Sequence, residues 1–142
     1  MSPFDAIDRL HTLPYWIIDI LPKQVPADGE GQYFKIEQYF LSEPQRGIIN
    51  RKFANVLLKL NCYKDLTVCL AATDKHLDNP TPQELEEMVM SRQPLSILLD
   101  GSQSLIDITG DDHYMTFYGH NEESLNLINS IATAEGLHLW KP

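Results

Sequence analysis

The sequence is short of cysteine, of glycine and of long apolar runs, and each shortage removes a class of protein. Its two cysteines, Cys62 and Cys69, have neither a zinc-ligand spacing nor a redox C-x-x-C spacing, so both are expected to be buried, reduced thiols of a reducing compartment. Seven glycines are few for a phosphate cradle, and none falls in a G-x-G-x-x-G or Walker-type loop; G-x-S-x-G and H-E-x-x-H are missing too. No motif therefore marks a catalytic, cofactor or metal site, although active sites are often assembled from residues far apart in sequence. Basic residues are scarce as well: 11 Lys and Arg against 20 Asp and Glu give a formal net charge of -9. Such a field repels phosphate backbones and anionic lipid, so neither nucleic acid nor a membrane is expected as a partner. The opening MSPFDAIDRL carries two aspartates and no long apolar run, so no signal peptide or membrane span is expected and the cytoplasm is the default location.

What is present suits a globular protein. With 142 residues, 43% hydrophobic and 22% charged, the chain is long enough for one domain with its own core and short for two. Repeats, low-complexity tracts and linkers are lacking, and residues 1–142 are expected to form a single α+β domain.

The most legible stretch runs from His113 to Trp140. Met115 and Phe117 alternate with Tyr114, Thr116 and Tyr118, the period of a half-buried strand. Asn121 follows as a helix cap, with Glu122 and Glu123 in the first turn, where the helix dipole favours negative charge. Leu125, Ile128, Ile131 and Ala132 then keep helical spacing, Gly136 supplies a left-handed stop, and LHLW starts a short strand.

Earlier segments are more varied. Ser2, Pro3 and Asp5 begin a helix carrying Phe4, Ile7 and Leu10. LPYWIIDILP, fenced by Pro14 and Pro22, fits a turn of buried helix or a strand with Trp16, Ile18 and Ile20 on one face; its β-branched content favours the strand. Residues 23–31 are a loop. QYFKIEQYFL fits a helix with Tyr33, Ile36 and Phe40 together, or a strand; the helix is preferred because a turn at Ser42-Glu43-Pro44 leads into another helix over about 44–61, with Ile49, Phe53, Val56, Leu57 and Leu60 inward. DLTVCLAAT is expected to be a central strand covered on both faces, and DKHLDNP a polar connection. Thr81, Pro82 and Glu84 form a capping box. PLSILLDG and SLIDIT are strands, the first ending in an Asp-Gly turn.

The expected fold is thus α+β: a helical N-terminal half packed on a mostly antiparallel sheet. Its C-terminal β-β-α-β unit is similar to half of a ferredoxin-like sandwich, a resemblance of fold that carries no function.

Two groups of residues suggest an interaction surface. Tyr114, Tyr118 and Trp140 would stand on whichever face of the last strands helices leave open, and such rings combine apolar area with a polar handle. Arg51, Lys52 and Lys59, with Arg46 and Lys64, gather five of the eleven basic residues on one helix; a solvated helix back with acidic neighbours is the alternative. The five histidines do not group by spacing. His113 and His120 should stand at opposite ends of a strand, and Asp111, Asp112 and His113 read as a solvated turn, as do Asp74, His76 and Asp78.

The expectation for function is a non-enzymatic protein-interaction module, with self-association allowed and an immunity-type inhibitor of a basic toxin as one version. The alternative is a small enzyme or ligand-binding domain with a pocket between the helical half and the sheet, drawing on Asp19, Asp74, His76 or Asp107.

Overall fold

The computed structural model describes residues 2–142. Five helices, α1 (Pro3–Leu10), α2 (Tyr33–Phe40), α3 (Gln45–Asn61), α4 (Pro82–Met90) and α5 (Glu122–Ala134), accompany seven strands. The strands are β1 (Tyr15–Asp19), β2 (Thr67–Leu70), β3 (Lys75–Asp78), β4 (Leu95–Leu99), β5 (Ser104–Ile108), β6 (Tyr114–Tyr118) and β7 (His138–Trp140). They form one sheet in the order β3-β2-β4-β5-β6-β1-β7, in which every neighbouring pair is antiparallel. The chain is therefore α+β, with helices in the first half and most strands after it. No helix among the described residues is long and apolar enough to cross a membrane.

Local chemistry explains where the helices begin and end. Ser2 and Thr81 each close a reciprocal capping box with the carboxylate three residues on, and Asn121 accepts from the amide of Ser124 at the start of α5. Gly136, at φ +79, ends the helix run, and the amide of Leu137 returns to the carbonyl of Ala132.

The sheet has two unequal covers. On one face, Phe53, Val56, Leu57 and Leu60 of α3 pack with Leu85 of α4 and Ile128 and Ala132 of α5 over Ile18, Val68, Ile97, Ile106, Met115 and Phe117. Phe53 and Phe117 are all but excluded from water, and burial of such a side chain contributes roughly 2–3 kcal/mol. The other face is covered by α1 alone, whose Ala6, Ile7 and Leu10 sit with Cys69, Leu98 and Leu105 on β2, β4 and β5. Eight residues of α1 are about 12 Å long, enough to cover a few strands of a seven-stranded sheet. The far strands, β6, β1 and β7, keep that face open.

Two details, the edge strand β3 and the exposure of Cys62, depart from the sequence expectation. Residues of DKHLD form an edge strand, β3, whose partner β2 is therefore next to the edge rather than central, though it is covered on both faces as expected. Polar alternation is what a sheet edge facing water requires, and it looks the same as a loop in sequence. LPYWIIDILP supplies β1, the strand its β-branched content favours, with Trp16, Ile18 and Ile20 packed toward the main core, and β1 enters the sheet between β6 and β7. Cys62 is exposed, while Cys69 is buried; neither forms a disulfide.

Candidate functional site

Antiparallel register aligns the open face into cross-strand rows. One row runs Ser96, Asp107, Thr116, Ile17, Trp140 from β4 to β7. Above it lie Leu105, Tyr118 and Tyr15, and below it Tyr114, Asp19 and His138. Where α1 ends, these rows become the floor of a cleft of about 740 Å³. Its floor holds Tyr15, Ile17, Asp19, Tyr114, Thr116, Tyr118 and Trp140; its walls are the end of α1 on one side and Leu21 to Val25 with Tyr33 on the other. The Trp140 indole N–H donates to the carbonyl of Leu21 at 3.1 Å, which fixes that wall to the edge strand.

An Asp–His pair stands at each side of the cleft. At the seam with α1, His11 Nε2 lies 2.6 Å from Asp107 Oδ2, while the other Asp107 oxygen accepts from the Ser96 hydroxyl at 2.7 Å. The His11 ring meets Tyr118 edge-on at 5.0 Å between centroids, and Tyr118 tilts against Tyr15 at 5.6 Å. The order Ser–Asp–His puts the carboxylate in the middle, so the Ser96 hydroxyl donates to a weakly basic carboxylate and not to the imidazole.

The second pair is deeper. Asp19 and His113 are 2% and 4% exposed, and His113 Nδ1 lies 2.6 Å from Asp19 Oδ1. His113 Nε2 faces α2, 3.1 Å from the Tyr33 hydroxyl and 3.2 Å from Glu37 Oε2, and Tyr33 donates to Glu37 at 2.7 Å. Burial works against charge on His113, but the Asp19 hydrogen bond and the charges of Asp19 and Glu37 outweigh it and raise the imidazole above its ordinary value. As imidazolium it donates from both nitrogens, to Asp19 on the sheet and to Glu37 or Tyr33 on the helix. No residue of α2 is fully buried, so this polar cluster is a principal tie between α2 and the sheet. The Tyr33 phenol is pushed far up, by burial first and then by Glu37. Tyr114 is raised by burial and the charges of Asp112 and Asp19, and Tyr118 by burial and the charge of Asp107.

Of the residues singled out from sequence, Tyr114, Tyr118 and Trp140 come together in this cleft. Arg51, Lys52 and Lys59 lie elsewhere, on the back of α3. Arg51 pairs with Glu86 at 3.0 Å, Lys59 with Glu135, and Lys52 stands beside Gly136 in a shallow groove. Lys64 pairs with Asp100 at 2.6 Å, and Arg46 is buried with one nitrogen on the carbonyl of Asp111. Four of these five cations are thus engaged within the chain.

Asp111 and Asp112 lie in the turn expected, Asp111 exposed and Asp112 accepting from Thr109, but His113 is not solvated and turns inward to Asp19. Among the described residues, no three His, Cys, Asp or Glu side chains group to hold a metal ion. Asp19 and Asp107 both carry site geometry, but Asp74 and His76 lie at the far edge with β3. No local pattern marks His11, Tyr33 or Glu37 as site residues, because His11 and Tyr33 reach the cleft, and Glu37 reaches His113 behind it, from helices whose docking is set by tertiary contacts. Comparison of the chain with protein-family models, with curated proteins and with solved structures gives no match.

Proposed function

We propose that the protein is a non-enzymatic interaction module whose protein partner is laid on the tyrosine-bearing half of the sheet. One observation supports this above the rest: the large concavity of about 740 Å³ is floored by three tyrosines and a tryptophan from three adjacent strands. Aromatic side chains held rigid by a sheet present much contact area at small entropic cost, as at the centres of protein interfaces. The polar pairs beside the cleft bond to each other in ways that serve position more than chemistry. The cations of α3 are a weaker candidate, because most already have carboxylate or carbonyl partners. The cytoplasm is the proposed location, since two free thiols suit a reducing compartment.

The test is partner capture with the wild-type chain, a Thr116→Arg variant that fills the cleft floor, and an Arg51→Ala variant on the back of α3. A partner lost with Thr116→Arg and kept with Arg51→Ala is the expected result. Equal capture by the Thr116→Arg variant and the wild type would sink the proposal.

A small-molecule site is the second reading, and a specific feature favours it. The cleft has the volume of a small-molecule site and joins aromatic walls to a carboxylate and an imidazole. Native mass spectrometry of the purified protein would detect a retained ligand, displaced in the Thr116→Arg variant.

A further inference from the structure

Asp19 carries an unused bonding capacity at the floor of the cleft. It is 2% exposed, and it lines the cleft. One of its oxygens accepts from His113, and among the described residues the other makes no hydrogen bond. An ionised carboxylate has about four acceptor sites, and this second oxygen opens to the cleft rather than being sealed in, since Arg46 Nε alone among the described residues is a fully buried side-chain polar atom without a partner, so a donor entering the cleft can take it up. The surrounding charge favours a cation over a neutral donor. Asp19, Glu37, Asp107 and Asp112 place four carboxylates around the cleft tyrosines, against the His113 imidazolium and Lys23, the only lysine or arginine lining the cleft. The Tyr114 and Tyr118 phenols are raised first by burial, and the charges of Asp112, Asp19 and Asp107 add to it. Tyrosine faces are themselves electronegative and attract cations. Across the whole chain the net charge is -9, so a basic partner is drawn in over longer range.

We propose that the cleft takes a cationic side chain, the guanidinium or ammonium of an arginine or lysine on the protein partner, with tyrosine rings against its flanks and the free oxygen of Asp19 as counter-charge. This rests on the cleft being the partner-binding surface. An anionic ligand would meet the Asp19 carboxylate and the phenol faces, and a purely apolar one would leave the Asp19 oxygen stranded.

The experiment is an NMR titration of the ¹⁵N-labelled full chain with N-acetyl-argininamide and with its neutral isostere N-acetyl-citrullinamide. The arginine probe is expected to move the amides of Ile17, Asp19, Tyr114 and Thr116 and the Trp140 indole, with the citrulline probe about five-fold weaker or worse. Added salt should weaken the first and spare the second. Asp19→Asn should remove most of the preference for arginine. Because that change also disturbs His113, Tyr114→Leu is the second variant; it keeps apolar bulk, removes a π face and should lower arginine affinity about three-fold.

Equal binding of the two probes would overturn the cation assignment while leaving the cleft a recognition surface. Tetramethylammonium binding as tightly as the arginine probe would overturn the assignment to a side chain in favour of a small free cation. If neither probe moves those resonances, the inference fails, and partner loss in Thr116→Arg then still stands for the underlying proposal. A Thr116→Arg variant that keeps its partner would remove that foundation instead.

Discussion

Asp19 and His113, 94 residues apart in sequence, meet in the interior at 2.6 Å and join β1, next to the edge of the sheet, to helix α2 through Glu37 and Tyr33. A buried pair of this kind is a weak source of net stability but a strong source of specificity of arrangement, because removing one member leaves the other charge without a partner. The cleft depends on it: Tyr33 forms part of the wall, and Tyr33 is placed by the same cluster.

The His113 imidazole is raised in the folded chain, so the folded state holds its proton to higher pH than the unfolded one. The stability this contributes is fully present below about pH 6.5, the unfolded value, and is lost as pH rises through the raised folded value. Urea unfolding of wild type and of His113→Gln across that window should give a difference that shrinks with rising pH. At the low end the variant should be less stable by about 3 kcal/mol. A difference that stays constant with pH would show that the proton on His113 is not what holds α2.

How much of this was legible in the sequence depended on whether a signal was local. The caps at Ser2, Thr81 and Asn121 and the stop at Gly136 use residues within a few positions of each other, and all appear where the sequence placed them. The alternation of Tyr114, Thr116 and Tyr118 likewise announced a face. The partners across that face could not be read. Asp107 and Thr116 share a row because β5 and β6 pair in one register, and Ile17 joins them only because a strand near the chain start enters beside β6. His113 looked like a turn residue because polarity next to Asp111 and Asp112 is what turns contain; its burial follows from Asp19 and Glu37, which no local pattern connects to it. The strand β3 was hidden for a related reason, since an edge strand shows polarity on both faces.

A second buried carboxylate holds the opposite corner of the molecule. Asp100, in the turn between β4 and β5, accepts from Lys64 at 2.6 Å, Ser104 at 2.8 Å and Ser124 at 2.6 Å, which ties the segment between α3 and β2, β5 and α5 to one residue. Burial opposes its charge, but the Lys64 and serine hydrogen bonds prevail, and its carboxyl lies below its ordinary value. Its contribution is therefore present above about pH 3.9 and is lost as pH falls through the lower folded value. Asp100→Asn keeps a residue that tolerates the positive φ of 56, removes the charge and turns one accepting oxygen into a donor. It should cost about 2 kcal/mol at neutral pH and little in strong acid, and a Lys64→Met double-mutant cycle should show coupling of about 1 kcal/mol or more. Additive single effects would place the Lys64 bond outside the energetics of the corner.

Gly110 makes the turn before β6 possible. Its φ is +91, and a Cβ there would stand 2.2 Å from the carbonyl oxygen of Arg92, which is backbone and cannot step aside. Gly101 also has a positive φ, +61, but a Cβ there meets nothing within 4 Å. Gly110→Ala combines strain with a clash and should cost about 3 kcal/mol, against about 1 kcal/mol for Gly101→Ala. Thermal unfolding of the two variants separates the terms; equal losses would mean that the Arg92 carbonyl yields.

The two thiols should differ sharply in reactivity. Cys62 follows α3 at the surface, whereas Cys69 lies on β2 beneath α1, among Ile7, Leu10 and Leu98. Burial, with a smaller contribution from the charge of Asp78, pushes the Cys69 thiol up to about 11. Thiolate is the reactive form, so Cys69 is protected twice, by access and by protonation. In native buffer an aromatic disulfide reagent should label one thiol per chain promptly. The second should wait for α1 to lift from the sheet, and its rate then reports the equilibrium of that opening. Ile7→Ala removes part of the α1 contact and should speed labelling of Cys69 about ten-fold while leaving Cys62 unchanged, since about 1.4 kcal/mol of lost packing shifts the opening equilibrium by that factor. Global stability should fall by the same amount, because the opened and the unfolded states both lack the Ile7 contact; what separates them is the opening free energy read from Cys69 labelling, which should be well below the global one. If the two free energies are equal, α1 and the sheet unfold as one unit, and the helix that bounds the cleft cannot move apart from the floor.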